Sequence, residues 1–294
     1  STEQPHTHCV CGGATVSGDH TGESHEDIFY QSWDGSTTAL SEGNYYLSKD
    51  IALEQAVTTT GTVNLCLNGH NIEFGSIGQF LPGDDSTLSI CDCADALQQG
   101  TISVPSDSQK NTIYFKNVAN ATVKLYSGTV IGSSGRNTVT DSDENAGVCE
   151  NCAFYLYGGT VKNDGVAAVG NVQSKVYLYG GTVDSLGNNG VATRAAGTVY
   201  LCGNTAINHG EGFASVRSLG AGCIDAKGYA GAALTISYEK TNPADGEVVV
   251  MNSANTAKFT LIKPDGKKLQ ALGGNLVLAS KEYTVTLPAT QTGY

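Results

Sequence analysis

The sequence predicts an all-β chain folded as a right-handed parallel β-helix, a pectate-lyase-like solenoid, and two observations carry this prediction. The first is composition: of 294 residues only 15% are charged, while 37 are glycine. Sparse charge and abundant glycine favour strands joined by tight turns over helices. The second is an internal repeat, in which an apolar strand is followed by a glycine turn.

The repeat is centred on leucines, and its length is too short for a strand–helix–strand unit. It reads V-Y-L-Y-G-G-T-V from Val176, with related copies around Leu125, Leu156 and Leu201. Subtracting the positions of the central leucines gives spacings of 31, 22 and 23 residues. Units of this length bury their apolar edges only by stacking, which is typical of solenoids. The pair Gly180–Gly181 supplies the bend and is expected to need positive φ.

Stacking in register predicts columns of equivalent side chains on the outside of the solenoid. Residues on either side of each central leucine should point outward, since side chains alternate along a strand and neighbouring strands lie about 4.8 Å apart. We expect two exposed tyrosine columns that bind a linear glycan. The alternative is that these tyrosines stabilise strand packing or lie beneath a loop. The columns are Tyr126, Tyr157 and Tyr179, and Tyr155, Tyr177 and Tyr200.

The character of the sequence divides the chain into three parts. Residues 1–45 hold four of the six histidines and are interpreted as a Cys/His-rich N-terminal cap. Residues 46–239 carry the coils. Residues 240–294 contain short strands without the repeat, including one expected at Tyr283–Leu287. They are expected to form a β-rich C-terminal cap or a small appended domain, because a solenoid must cover its ends.

A C-x-C pair beside several histidines is the clearest chemical signal. Cysteines two apart on an extended strand project to the same side, and two histidines would complete a tetrahedral zinc site. Four protein ligands leave no open position, so this zinc would be structural. A local cysteine pair with solvated histidines is the alternative. The expected ligands are Cys9, Cys11, His20 and His25, with His6 and His8 in reserve.

The other cysteines suggest local pairing. There are nine cysteines, so they cannot all pair within one chain. Cys66 and Cys91 fall on the same ladder position of adjacent coils, where they could bond or only stack, and Cys93 competes for the same partner. Cys149 and Cys152 are expected to form a loop disulfide.

An acidic stretch between two repeats holds the weak candidates for catalysis, which are Asp141, Asp143 and Glu144. Paired carboxylates could hydrolyse a glycoside or hold calcium, whereas the simpler interpretation is a solvated acidic loop. The chain lacks the G-x-S-x-G and H-E-x-x-H motifs and a phosphate-binding glycine loop. The question of catalysis stays open, with a non-catalytic role preferred.

The charge balance argues against a nucleic-acid partner. The net charge is −12, and 28 acidic residues face only 16 basic ones. Binding phosphates needs clustered cations, which are missing here. No apolar run of about 18 residues occurs, so this segment is not expected to insert into a membrane. We expect a monomer whose partner is a glycan or another ligand on a host or bacterial surface.

Several motifs resemble those of a known family. H-T-H-C-V-C-G-G at His6–Gly13, W-D-G at Trp33–Gly35, L-C-L-N-G-H-N-I at Leu65–Ile72 and the Y-G-G-T repeats are similar to cell-surface β-helix proteins of gut Firmicutes. The resemblance spans nearly the whole chain and implies an extracellular module of a larger bacterial protein. The preferred function is adhesion or glycan binding without catalysis. The alternatives are a polysaccharide-degrading hydrolase or lyase, and a stalk that spaces other domains.

Overall fold

The computed structural model describes residues 5–13, 20, 24–141, 149–194 and 196–282, and this part of the chain is all-β, as predicted. The strands of its first half are β1 (His6–His8), β2 (Ile28–Ser32), β3 (Ala39–Leu40), β4 (Gly43–Tyr46), β5 (Ile51–Leu53), β6 (Val57–Thr59), β7 (Thr62–Cys66), β8 (Ile72–Phe74), β9 (Phe80–Pro82), β10 (Thr87–Cys91), β11 (Thr101–Ser103), β12 (Ile113–Tyr114), β13 (Thr122–Leu125), β14 (Thr129–Ile131) and β15 (Val139–Thr140). The strands of its second half are β16 (Ala153–Leu156), β17 (Thr160–Asn163), β18 (Val169–Asn171), β19 (Lys175–Leu178), β20 (Thr182–Ser185), β21 (Val191–Thr193), β22 (Thr198–Leu201), β23 (Ala206–His209), β24 (Val216–Ser218), β25 (Ile224–Asp225), β26 (Leu234–Tyr238), β27 (Val248–Met251), β28 (Phe259–Lys263), β29 (Lys267–Leu272) and β30 (Asn275–Ser280), with a 3₁₀ turn at Thr256–Lys258. No helix in these ranges is long and apolar enough to cross a membrane.

The strands form three sheets that the chain visits in rotation, which is the topology of a parallel β-helix. Sheet 1 has 13 strands in the order β1-β2-β4-β7-β10-β13-β16-β19-β22-β25-β27-β30-β29. Sheet 2 has 7 strands and runs from β5 to β23, and sheet 3 has 10 strands and runs from β3 to β28. Among the described strands, antiparallel pairs occur only at the two ends of sheet 1.

The register of sheet 1 confirms the ladder of central leucines. Leu125 pairs with Leu156, Leu156 with Leu178, and Leu178 with Leu201. All four side chains are 0% exposed and belong to one apolar core that extends from Trp33 to Leu278. Each coil buries its leucine against the coils on either side, so the coils stabilise one another.

The glycine turns stack as closely as the strands. Gly128, Gly159 and Gly181 all have positive φ, at 85°, 70° and 69°. A Cβ on Gly159 would lie 2.5 Å from the carbonyl oxygen of Gly128, and one on Gly181 would lie 2.5 Å from that of Gly159. Glycine is therefore required both for the backbone conformation and for the approach of successive coils.

Parallel pairing extends beyond residues 46–239 at both ends. It begins between β2 and β4 and continues past Glu239, where β27 pairs with β25 and β28 with β26. The antiparallel pair β29 and β30 then joins β27 at the end of sheet 1. The C-terminal strands thus prolong the sheets of the solenoid and share its core. The strand expected at Tyr283–Leu287 lies outside the described residues.

Candidate functional site

The N-terminal segment, residues 5–13 with His20 and His25, lies against the outer face of sheet 1. β1 pairs antiparallel with the first half of β2, so His6 stands opposite Tyr30. Tyr30 is fully buried and packs in a cluster with Cys66 and Cys91. A Cβ on Gly12 would lie 3.2 Å from the Cβ of Cys91. The segment therefore covers side chains that point outward from the first coils.

Two histidines of β1 meet two cysteines of the solenoid, and we call this group the bridging cluster (His6, His8, Cys66 and Cys93). Its four ligand atoms all lie within 4.8 Å of one another. The two sulfurs are 3.5 Å apart, and the Sγ of Cys93 is 3.6 Å from the Nε2 of His6. The Nε2 atoms of His6 and His8 are 3.1 Å apart. Cys66 ends β7 and Cys93 follows β10, so the cluster joins the segment to two successive coils.

Aromatic rings and a carbonyl group orient the two histidines. The ring of His6 stacks on Tyr46 at 4.3 Å, and that of His8 stacks on Tyr30 at 4.3 Å. The Nδ1 of His8 lies 2.6 Å from the carbonyl oxygen of Cys9, so Nδ1–H donates there and Nε2 faces the cluster. Fixing the second ring nitrogen in this way is the usual arrangement of metal-binding histidines.

Burial and mutual contact set the protonation of this cluster. Burial lowers the pKa of His6, and the neighbouring His8 lowers it further. Burial also acts to lower the pKa of His8, but hydrogen bonds with Cys93 and the Cys9 carbonyl outweigh it and raise that pKa. A hydrogen bond with Cys91 raises the pKa of Cys66, and one with Cys66 raises the pKa of Cys93. Without a metal ion, both thiols therefore keep their protons at neutral pH.

A second group, the loop cluster (Cys9, Cys11 and His25), brings together three of the four expected zinc ligands. Its two sulfurs are 2.9 Å apart, and the Sγ of Cys11 lies 3.6 Å from the Nδ1 of His25. Burial, with a hydrogen bond between Cys11 and Cys9, raises the pKa of Cys11 to about 11. His20 stands beside this group, its ring 5.1 Å from the ring of His25.

The bridging cluster is the site that reasoning from sequence missed. The sequence suggests His6 and His8 only as spare zinc ligands, and Cys66 and Cys93 as candidates for cysteine pairing. The available signals are the H-x-H spacing of His6 and His8, which can direct both side chains to one side of an extended segment, and the competition of Cys93 for pairing with Cys66. In the described ranges both groups able to hold a metal consist of cysteine and histidine, a donor set that suits zinc and not calcium.

Both tyrosine columns form, but the expectation that both are exposed is wrong for Tyr126 and Tyr157. These side chains are 0% and 7% exposed, because they pack in the cluster that contains Cys9 and Cys11. The ring of His20 lies 5.9 Å from each of the two tyrosine rings. Tyr126 and Tyr157 therefore fit the alternative interpretation, in which the tyrosines lie beneath another segment of the chain. Tyr179, the next residue along it, is half-buried.

The second column stays accessible along its length. Tyr155, Tyr177 and Tyr200 are half-buried, and their rings stack in parallel with centroids 4.5 Å apart at both steps. Stacking places the ring faces against one another, so the faces are used within the protein. Burial, with the neighbouring tyrosine hydroxyls, raises the pKa of Tyr177 to about 12. This hydroxyl is therefore neutral at physiological pH and can both donate and accept hydrogen bonds.

None of the nine cysteines forms a disulfide. The bond expected between Cys149 and Cys152 is wrong: both side chains are buried thiols, and the Sγ of Cys152 donates to the carbonyl oxygen of Val118 at 3.4 Å. Cys66 and Cys91 do pair in register, as the ladder predicts, but they are not bonded. Cys66 instead lies 3.5 Å from Cys93, well beyond the disulfide length of about 2.05 Å.

The structure gives Asp141 a structural role. Its carboxylate is 3% exposed and accepts backbone N–H groups of Val172, Gln173 and Ser174 at 2.7, 2.8 and 2.6 Å. All of these belong to the turn of the next coil, so Asp141 fixes that turn and is closed to a substrate. The other two candidates, Asp143 and Glu144, lie outside the described residues.

A polar cleft on the outer face of sheet 3 was also not predicted from the sequence. It has a volume of about 250 Å³. Gly170 and Ala192 pair in register and form its floor, because their side chains are small. Arg217 is the next residue in that column and pairs with Glu239 at 2.8 Å. The polar groups around the cleft belong to Asn137, Asn171, Asn188, Arg194 and Arg217.

No family model, curated protein or solved structure matches the chain. Its class is therefore defined by its own fold and side chains. It is an all-β solenoid of stacked parallel coils, with Cys/His groups that could hold a metal ion such as zinc.

Proposed function

We propose that this chain is an extracellular, surface-exposed module of a larger bacterial protein, and that it binds a glycan without catalysing a reaction. The observation that carries this proposal is the accessible column of Tyr155, Tyr177 and Tyr200, whose rings repeat every 4.5 Å along the outside of sheet 1. A regular row of hydroxyls suits a linear polymer that itself repeats hydroxyl groups.

The ring edges and hydroxyls, rather than the ring faces, are the groups offered to a sugar. Each such hydrogen bond contributes only about 1 kcal/mol net, because water is displaced from both partners. We therefore expect weak binding for a monosaccharide and stronger binding as the oligosaccharide spans more rings. The cleft with Arg194 and Arg217 is a second surface. Arg217 is paired with Glu239, so Arg194 is the cation that favours a sugar with a carboxylate.

The buried state of Asp141 supports the preferred non-catalytic role over the hydrolase alternative, since glycoside hydrolysis requires two carboxyl groups that reach the substrate. The stalk alternative is supported by a different observation: the faces of the tyrosine rings are used within the protein, for stacking. A stalk needs no ligand, so the two functions differ in a measurable way.

We also propose that the loop cluster binds zinc as a structural ion, with His20 as the fourth ligand. What supports this is the convergence of Cys9, Cys11 and His25, and the position of His20 beside His25. Zinc content of the purified chain, compared with that of Cys9→Ser/Cys11→Ser, tests this part separately. A chain that retains all of its zinc in the double variant would rule it out.

The glycan proposal is tested by a screen of oligosaccharides and mucins on the purified chain. Tyr177→Ala/Tyr200→Ala should weaken binding about 10- to 30-fold, because two hydrogen bonds of about 1 kcal/mol each are lost. Tyr177→Phe/Tyr200→Phe keeps the stacked rings and removes only the hydroxyls, so a similar loss would assign the effect to them. The matched control is Lys162→Ala, which removes a half-buried outward side chain from sheet 2.

Each outcome separates the alternatives. Release of new reducing ends from any glycan would favour the hydrolase or lyase. Loss of binding in Arg194→Ala, with the tyrosine variants unaffected, would move the site to the cleft on sheet 3. No binding to any glycan would favour the stalk and assign the tyrosine column to packing.

A further inference from the structure

We propose that the bridging cluster is a tetrahedral zinc site that fastens the N-terminal segment to two successive coils of sheet 1. The ligands are the Nε2 atoms of His6 and His8 and the Sγ atoms of Cys66 and Cys93. This site is distinct from the loop cluster and does not depend on glycan binding.

The distances within the cluster fit a tetrahedral zinc ion. Zinc bonds of about 2.3 Å to sulfur and 2.05 Å to nitrogen place two sulfurs about 3.8 Å apart, sulfur and nitrogen about 3.6 Å apart and two nitrogens about 3.3 Å apart. Here the two sulfurs are 3.5 Å apart, the Sγ of Cys93 and the Nε2 of His6 are 3.6 Å apart, and the two nitrogens are 3.1 Å apart. The other three sulfur–nitrogen separations are within 4.8 Å. In the loop cluster the sulfurs are 2.9 Å apart and would have to separate by about 0.9 Å.

The tautomer of His8 is a second and independent observation. Its Nδ1–H is committed to the carbonyl oxygen of Cys9, so in the neutral ring Nε2 carries a lone pair. That lone pair faces the Nε2 of His6 at 3.1 Å. Two nitrogens at this distance need a proton or a metal ion between them. The two thiols that face the same space are the additional ligands that a metal ion requires and a proton does not.

Charge also favours a zinc ion at this place. On binding Zn²⁺, each thiol loses its proton to solvent and becomes a thiolate, while the two histidines bind as neutral rings. The two thiolates balance the charge of the ion, so the complete site is neutral. A neutral site is suited to the partly buried position between β1 and the coils that hold Cys66 and Cys93, where an uncompensated charge would be costly.

The test uses the full chain, purified with reductant and dialysed against zinc. Metal content is measured by mass spectrometry of the ion, and the site is observed through the cobalt-substituted protein, in which thiolate ligands give a charge-transfer band. We expect Cys93→Ser and His8→Ala each to lose one metal equivalent. The Cys9→Ser/Cys11→Ser variant should keep this equivalent, so failure of the loop-cluster zinc would not be mistaken for failure of this site.

Matched controls guard against general effects of the substitutions. Cys202→Ser replaces another half-buried cysteine, and His70→Ala another half-buried histidine, both outside the two clusters. Both variants should keep the full metal content. His8 lies on β1, outside the apolar core, so loss of its ring should leave the coils folded, which circular dichroism checks. Full metal content in both Cys93→Ser and His8→Ala, or a Cys66–Cys93 disulfide in the zinc-dialysed wild-type chain, would overturn the proposal.

Discussion

Gly181 has φ at 69°, and its α-carbon faces the carbonyl oxygen of Gly159 in the preceding coil. We expect Gly181→Ala to lower the free energy of unfolding by about 2–5 kcal/mol. The left-handed backbone costs about 1–2 kcal/mol for a residue with a Cβ, and forcing a methyl group against the preceding coil costs about 1–3 kcal/mol more. Urea denaturation followed by circular dichroism measures the loss.

Gly266 is the matched control at the same scale, because its φ is 73° but a Cβ there would meet nothing within 4 Å. Gly266→Ala should cost only the backbone part, about 1–2 kcal/mol. Equal losses in the two variants would mean that the close approach of the coils contributes nothing, and that the repeated glycine serves the turn alone.

At the scale of single elements, β24 and β26 are joined by an ion pair whose strength depends on pH. Glu239, directly after β26, accepts a hydrogen bond from Arg217 of β24 at 2.8 Å. Burial acts to raise the pKa of Glu239, but hydrogen bonds from Ser237 and Arg217 outweigh it and lower the pKa below its ordinary 4.5. Because the folded pKa is the lower one, the stabilisation is complete above pH 4.5 and is lost as the pH falls through the folded pKa.

Glu239→Gln should therefore destabilise the chain at pH 7 by about 0.5–1 kcal/mol, the size of a partly exposed ion pair. Urea midpoints of the variant and the wild type should approach each other as the pH is lowered below 4.5. A difference that stays constant from pH 7 to pH 3 would show that the carboxylate charge is not what joins the two strands.

The elements themselves were predictable because the information for them is local. Alternation along β19 places Leu178 inward and Tyr177 outward, and the following glycine turn ends the strand. The segment that covers an outward-pointing residue, by contrast, can be distant in the sequence. Tyr157 is buried by a segment more than 130 positions earlier in the chain, and the contact between His6 and Cys93 spans 87 positions. The sequence could therefore predict the tyrosine ladder and part of the loop cluster, but not the bridging cluster.

At the scale of the whole molecule, nine thiols without disulfides must be reconciled with the proposed extracellular location. Exposed thiols oxidise in that environment. Seven of the nine are buried, and Cys93 and Cys202 are half-buried. Zinc in the two clusters would hold four of them, Cys9, Cys11, Cys66 and Cys93, as metal-bound thiolates. The metal sites and the location are separate proposals, but the first removes a physical objection to the second.

The apolar core begins at Trp33, so release of the N-terminal segment should leave the coils folded. We expect chelation of the full chain to permit cleavage by endoproteinase Glu-C after Glu26, which is exposed, whereas zinc-loaded chain resists. Cleavage after Glu211, exposed in a distant turn, should not respond to zinc and serves as the internal control. Mass spectrometry of the products measures both rates. Equal cleavage after Glu26 with and without zinc would mean that apolar packing alone, and no metal ion, holds the segment over Tyr126 and Tyr157.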